Sequence, residues 1–152
     1  MSAPVAAGES PMQRPTLRPA VADDAAVVAE LLGQLGYPIS AREALSRLSR
    51  PGARVILGEA DGEALGLLEL SLQLQITHAR PVARVTAMVV RDSARRRGVG
   101  RSLMERAAEL ARAEGCEGIE LTSGLQPERE HAHRFYEALG YERVSFKFWC
   151  PL

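Results

Sequence analysis

Between an apolar run, residues 85–90, and an amphipathic pattern that begins near Arg101 stands Arg95-Arg96-Arg97-Gly98-Val99-Gly100. A strand that ends in a loop with two glycines and then enters a helix lets successive backbone N–H groups converge on an anion, and the helix N-terminus adds its dipole. The arginines add charge and forked donors. Arg91, Arg95, Arg96, Arg97 and Arg101 stand against one acid, Asp92, whereas the whole chain balances 19 basic residues against 19 acidic ones. The positive field is therefore local, and the ligand it selects is small. A broad basic face of the kind that coats nucleic acid or a membrane surface is not expected. No Gly-Lys-Ser/Thr follows the glycines, which argues against a nucleotide P-loop.

Other reactive residue types group less tightly. His131 and His133 are two apart, a spacing that points them to different faces of a helix, so no metal site is expected. Cys116 and Cys150 form neither a CxxC nor a zinc spacing, and Cys116 reads as a small packed hydrophobe. Nothing resembles a secretory signal, and no apolar run approaches the roughly 20 residues that span a bilayer. Free thiols in a reducing cytoplasm are the expectation.

A fold must position these residues, and 152 residues with 46% hydrophobic content suffice for one core. Residues 1–13, rich in Ala, Pro, Gly and Ser without periodicity, read as a disordered leader; residues 14–152 read as a single domain. Thr16-Leu17-Arg18 is a short strand. Asp23 or Asp24 caps a helix running to about Leu35, with Val27, Leu31 and Leu35 at helical spacing, and Gly36 stops it. Ser40 starts a second helix containing Leu45 and Leu48, ended by Pro51-Gly52.

Strands at 54–59 and 64–76 join through Asp61-Gly62, a hairpin dipeptide. In the longer one Leu68, Leu70, Leu72, Leu74 and Ile76 alternate with Glu69, Ser71, Gln73, Gln75 and Thr77, which predicts one buried and one wet face. Val82–Val90 is the central strand. A helix over 98–114 turns Val99, Leu103, Ala107, Leu110 and Ala111 inward and pairs Arg101 with Glu105 outside. Residues 117–122 form a buried strand, parallel to the central one through a right-handed crossover. A helix over 128–139 stops at Gly140, and 141–149 reads as a terminal strand with Val144, Phe146 and Phe148 alternating. The expected order is β-α-α-β-β-β-α-β-α-β.

Val90-x4-Arg95-x-x-Gly98-x-Gly100, then Leu103, then Phe135-Tyr136-Glu137-x-Leu139-Gly140-Tyr141, resembles the GNAT superfamily of acetyl-CoA-dependent N-acetyltransferases, and the likeness covers nearly the whole chain. Leu17-Arg18-Pro19-Ala20-x3-Asp24 is a usual opening of that family. More narrowly, Leu121-Thr122-Ser123, Arg129-x-x-Ala132-His133-Arg134-Phe135-Tyr136, Gly140-Tyr141-Glu142 and Ser145-Phe146-Lys147-Phe148 resemble the aminoalkylphosphonate N-acetyltransferases; some aminoglycoside acetyltransferases share such a tail.

The resemblance implies an α/β (α+β) GNAT fold: a mixed sheet of six to seven strands, splayed at the pair 82–90/117–123 and flanked by about four helices. It implies acetyl-CoA as cosubstrate and no metal. Met88, Val89 and Val90 would offer main-chain contacts to the pantetheine arm in the splay, with core packing for their side chains. Arg95, Arg96, Arg97, Gly98, Val99, Gly100, Arg101 and Ser102 would form the pyrophosphate shell, Arg96 and Arg97 being equally open to the 3′-phosphate or to solvent. Tyr136 would touch the cofactor and act as general acid toward the departing thiolate. Ala132, Phe135 and Leu139 share its helical face, so an ordinary core tyrosine is the competing reading. Arg129 stands where many members carry an asparagine.

Several family members use a glutamate of the central strand as base, yet Arg84-Val85-Thr86-Ala87-Met88 holds no carboxylate. The candidates become Glu69, whose bland alternative is a solvated surface residue, His78 in a loop, or water held by Thr86 and Ser123. The implied reaction is direct transfer to the primary amine of a small molecule within a ternary complex. The alternative is a non-catalytic acetyl-CoA or CoA sensor of the same fold. An anionic acceptor would call for bases such as Arg80 and Arg84, while an aminoglycoside would call for more acids than Glu43 and Glu69. Phe146, Phe148 and Trp149 near the chain end suggest a homodimer. The protein is expected in the cytoplasm, with no nucleic-acid or membrane partner.

Overall fold

The hydrophobic pattern resolves into one mixed sheet with helices on both faces. A computed structural model describes residues 14–152; the leader expected at 1–13 lies outside them. In chain order the elements are β1 (Thr16–Pro19), α1 (Ala25–Leu35), α2 (Ala41–Leu48), β2 (Arg54–Ala60), β3 (Glu63–Gln73), β4 (Val82–Val90), α3 (Val99–Ala113), β5 (Gly118–Leu121) and α4 (Glu130–Ala138). Single 3-10 turns precede α1, α3 and α4. The sheet order is β1-β2-β3-β4-β5, antiparallel except for the parallel β4–β5 pair. Asp61 and Gly62 both adopt positive φ, 52° and 77°, so the β2–β3 hairpin closes on the tight turn its dipeptide favours.

β3 is buried on both faces because helices cover both. Val28 and Leu31 of α1 pack with Leu57, Leu67 and Val89 on one side. Val99, Leu103, Met104 and Ala107 of α3 pack with Ile56, Leu68, Leu70 and Val85 on the other. α3 comes close because Gly66 faces it: a Cβ there would sit 3.0 Å from the Val89 carbonyl oxygen and 3.1 Å from Val99 Cγ1. On the α1 side, Arg18 donates to Asp24 (2.7 Å) and to Glu59 (2.6 Å), tying the start of α1 to β1 and β2. The Arg18 hydrogen bond holds the Asp24 carboxyl below the usual carboxylate range. No helix among the described residues is long and apolar enough to cross a membrane.

Two expectations change. The sheet has five strands among the described residues rather than six to seven. Residues 141–149 form no strand: Val144, Phe146, Phe148 and Trp149 are 76% to 91% exposed and lie beside no strand among the described residues. Period-two alternation states which face a strand would bury, but a strand also needs a neighbour to bond, and this segment leaves α4 without reaching one. Likewise β3 ends at Gln73, and the last two residues of its expected apolar face, Leu74 and Ile76, are exposed.

Candidate active site

The site begins where β4 and β5 part. Their parallel ladder covers only Val82–Val85 against Gly118–Leu121. Immediately beyond it the β3–β4 register shifts, with Leu70 opposite Val85 but Glu69 opposite Ala87, so Thr86 is an extra residue on β4. Such a bulge bends its strand and increases the local twist. From Thr86 to Val90 the β4 backbone has no strand on its β5 side. Met88 and Val90 turn their side chains to the α3-side core, and Val89 is buried toward α1. What these three residues offer to the wedge is main chain.

The arginine–glycine loop leaves the end of β4. Arg91 is committed to structure: its Nε donates to the Ala64 carbonyl (2.7 Å) and its guanidinium pairs with Glu30, anchoring the strand exit to β3 and α1. Arg95 pairs with Asp92 (2.9 Å), and Arg101 lies 4.0 Å from Glu105. Arg96 and Arg97 have no ion-pair partner among the described residues. Arg96 and Gly98 both hold positive φ, 61° and 79°. α3 then starts with no side-chain cap and no acid in its first turn. Its first helical bond runs from the Ser102 N–H to the Gly98 carbonyl (3.0 Å), so the N–H groups of Val99, Gly100 and Arg101 have no backbone partner among the described residues. Free donors, the positive helix end and unpaired guanidiniums fit a pyrophosphate. Gly100 has a second duty, since a Cβ there would lie 3.3 Å from Phe135 Cζ and 3.6 Å from Val90 Cγ2. It lets the start of α3, the end of β4 and α4 meet.

α4 carries Tyr136. His133 Nε2 donates to the Gly124 carbonyl (2.8 Å), fastening the helix to the loop after β5. The Tyr136 ring packs edge-on against Phe135 and Tyr141, with centroids 5.2 and 6.1 Å away. Burial raises the pKa of its hydroxyl above the ordinary tyrosine value, and the charge of nearby Arg129 partly opposes this. The phenol therefore keeps its proton through the neutral range. Its hydroxyl makes no hydrogen bond to the described residues.

On the other face of the sheet, α1, α2 and β2–β4 border an open cavity of about 230 Å³. Its walls are Val28, Leu32, Leu48, Val55 and Leu67, and its polar groups are Tyr37, Arg47, Arg50, Glu69 and Thr86. Thr86 Oγ1 donates to Glu69 Oε2 (2.7 Å), so the bulge residue orients the carboxylate. The face of β3 expected to be wet thus meets a lined cavity at Glu69.

The other candidates lie elsewhere. His78 pairs with Glu117 just before β5, and Arg84 pairs across the ladder with Glu120 (2.6 Å). Neither they nor Arg80 line the cavity. The basic residues that do, Arg47 and Arg50, did not emerge from the sequence reading, although a signal existed. Ala44, Arg47 and Leu48 stand at i, i+3 and i+4, so Arg47, itself exposed, borders the stripe of α2 on which Ala44 is fully buried. Among the described residues no group of three or more His, Cys, Asp or Glu side chains could hold a metal ion.

Known proteins resemble this chain in sequence and in fold. The chain is 32% identical over 124 residues to an aminoalkylphosphonate N-acetyltransferase of Salmonella typhimurium, covering 81% of this chain and 79% of that one. It is 35% identical over 101 residues to an aminoglycoside N(6′)-acetyltransferase type 1 of Klebsiella aerogenes, covering 65% of each. An acetyltransferase structure from Trypanosoma brucei superposes with a TM-score of 0.77 at 28% identity, over 91% of this chain and 99% of that one. Residues 25–141, from the first residue of α1 to the tyrosine after α4, match the model of the Acetyltransferase (GNAT) family. With a splayed β4–β5 pair, an uncapped α3 and a family match of that extent, the chain belongs to the GNAT family of acetyltransferases.

Proposed function

We propose that this protein transfers an acetyl group from acetyl-CoA to the primary amine of a small acceptor that also carries an anionic group, by direct attack in a ternary complex. The observation that carries this reading is an open cleft lined by one acidic residue, Glu69, and two basic ones, Arg47 and Arg50, both exposed at its mouth. An acceptor with a cationic end and an anionic end matches that content. A polycation would meet two positive charges and one negative. The name of the Salmonella relative, an aminoalkylphosphonate N-acetyltransferase, is in keeping with such an acceptor.

Acetyl-CoA, when bound, supplies an acetyl thioester. The free N–H groups of Val99, Gly100 and Arg101, with Arg95, Arg96, Arg97, Gly98 and Ser102 around them, would hold its pyrophosphate. The main chain of Met88, Val89 and Val90, open on the β5 side, would hold the pantetheine arm as an added strand is held. An alkylammonium has a pKa of about 10.4, so a base must take its proton before nitrogen can attack. Glu69, oriented by Thr86, is that base. As the new N–C bond forms and the C–S bond breaks, the sulfur takes a proton from Tyr136, whose free hydroxyl and raised pKa suit a general acid, and the surplus proton on the newly acylated nitrogen passes through solvent to restore the phenol. The free thiols Cys116 and Cys150 have no part in a direct transfer, and they accord with a cytoplasmic location.

The test is thiol release from acetyl-CoA with a panel of aminoalkylphosphonates, chain-matched uncharged alkylamines, polyamines and an aminoglycoside. The expected order puts the aminoalkylphosphonates first in kcat/KM. An aminoglycoside or polyamine in first place would overturn the anionic-acceptor reading. Thermal stabilisation by acetyl-CoA with no thiol release from any amine would make the protein a sensor instead.

A further inference from the structure

No described residue holds the Tyr136 hydroxyl, so the ring stands where α4 puts it. α4 is lightly attached. None of its residues is buried, whereas α3 buries Val99, Leu103, Met104, Ala107 and Ala111. Its acids pair within the helix or with the segment that follows: Glu130 with Arg134 (3.7 Å) and Arg143 (3.5 Å), Glu137 with Arg143 (2.6 Å). None of these pairs reaches the sheet or α3. Phe135, Tyr136 and Leu139 lean half-buried on the α3-side core, but apolar contact is non-directional. The directional attachment is His133. Among the described residues, its Nε2 bond to the Gly124 carbonyl (2.8 Å) is the one hydrogen bond from an α4 side chain to a residue that precedes the helix.

A carbonyl oxygen only accepts, so Nε2 carries the proton of the neutral ring and its tautomer is fixed. Nδ1 is then a bare acceptor, buried without a hydrogen-bond partner. Its neighbour at 3.5 Å is the Glu130 carboxylate, an acceptor too. A ring with one orphaned nitrogen adds little to stability, because the unmet acceptor offsets what the met donor contributes. What the met donor does is fix a geometry. At the end of the parallel ladder Val85 pairs with Leu121, so in continued register Gly124 would stand opposite Met88. The chain diverges there instead, and α4 takes the Gly124 carbonyl from nine residues on. His133 and Tyr136 are three apart, neighbours on one helix face. The residue that grips the diverging wall of the wedge thus stands one turn from the phenol.

We infer that His133 is a positioning residue for Tyr136: its N–H bond to Gly124 sets the height and rotation of α4, and so the place of the phenol relative to the open edge of β4. The assignment rests on the proposed acetyl transfer, in which that phenol is the general acid. Without the bond, α4 keeps its apolar contacts and slides or turns on them. Displacing a reacting group by about 1 Å costs up to about 100-fold in rate, so a shift too small to unfold the protein is large for kcat. The anion cradle at the start of α3 makes no use of His133, so acetyl-CoA binding is spared.

Substitutions at this one position test it, in steady-state kinetics with the best amine of the panel and in calorimetry with acetyl-CoA. His133→Gln carries an amide N–H as many bonds from the backbone as Nε2 and should keep kcat within about threefold of wild type. His133→Asn ends one atom short and His133→Leu has no donor. Each should lower kcat by roughly tenfold or more, with the acetyl-CoA dissociation constant unchanged. In a Tyr136→Phe background His133→Leu should cost less than about twofold more, because residues that act as a unit are not additive. Fluorine NMR of the fluorotyrosine-labelled protein follows the ring itself. The chain has three tyrosines, and the resonance missing from Tyr136→Phe reports residue 136. It should move in His133→Leu and return in His133→Gln, while that of Tyr37, which lines the cavity on the other face of the sheet, holds still. If Tyr136→Phe keeps wild-type kcat, the acid reading fails, and the resonance still decides whether His133 places the ring. A resonance that does not move, an equal loss in His133→Gln, or a full further loss in a Tyr136→Phe background that is itself impaired overturns the inference.

Discussion

The two sides of β4 are made of different materials. Toward α3 and α4 the site is mostly backbone: an uncapped helix start, a loop with two left-handed residues, and a strand edge with no neighbour. Toward α1 and α2 it is side chains drawn from separate elements, Glu69 from β3, Thr86 from β4, Arg47 from α2 and Arg50 from the turn after it. A backbone site recognises what every acetyl-CoA molecule shares. A side-chain site can be repopulated residue by residue, so in the proposed reaction selectivity for the acceptor belongs there. In the proposed reaction, damage to the first side should therefore affect acetyl-CoA and every acceptor alike. Damage to the second should reorder the acceptors and leave acetyl-CoA binding as it was.

Tyr136→Phe should have the largest effect. Loss of a general acid lowers kcat by about 100-fold. Because in the proposed reaction the phenol donates its proton toward acetyl-CoA, the loss should be similar for every amine in the panel. Burial raises the Tyr136 pKa, and the acid works in its neutral form. The alkaline fall in kcat that it causes should accordingly lie above pH ~10, the ordinary tyrosine value, and should vanish in the phenylalanine variant. A decline that the variant retains in full, or a loss confined to one acceptor, would assign the acid role to another group.

Gly98→Asp comes next. It places a carboxylate at the positive end of α3 and a Cβ at φ +79°, and the two together should weaken acetyl-CoA binding by roughly tenfold or more in calorimetry. The ranking of acceptors should not move. Arg47→Ala and Arg50→Ala form the mirror experiment. Each should raise KM for an aminoalkylphosphonate by about fivefold, in line with loss of one charge-assisted contact, while KM for an uncharged alkylamine and the acetyl-CoA dissociation constant stay within twofold. If both amines lose equally, the arginines only support the cavity wall.

The same division decided what could be read in advance. The arginine–glycine loop, the parallel β4–β5 crossover and the Phe-Tyr helix end are contiguous in sequence, and their geometry follows from local rules: glycine where φ is positive, a helix start after a strand. The cavity is not contiguous. Arg47 and Glu69 line one cavity only because α1 and α2 pack over β3, and no spacing between them encodes that. Thr86 becomes a bulge only through the register of β3, which pairs Glu69 with Ala87 and Leu70 with Val85. The terminal segment shows the opposite limit. Its alternation was legible and its lack of a neighbour was not, because a missing partner is a property of the assembled sheet.

The smallest effect separates a helix start built for packing from one built for a ligand. α2 opens with Ser40, whose hydroxyl accepts from the Glu43 N–H (3.2 Å), while the Glu43 carboxylate accepts from the Ser40 N–H (2.8 Å). Both donors are satisfied within the chain, which is what the start of α3 lacks. Ser40→Ala should cost about 1 kcal/mol, typical for removal of a helix cap, seen as a melting temperature lower by roughly 2–4 °C for a domain of this size. Acetyl-CoA should restore as much thermal stability to the variant as to the wild type, since α2 lies on the far face of the sheet from α3. If the variant instead lost its response to acetyl-CoA, the two sides of β4 would be coupled through the sheet, and the separation of donor and acceptor machinery would be wrong.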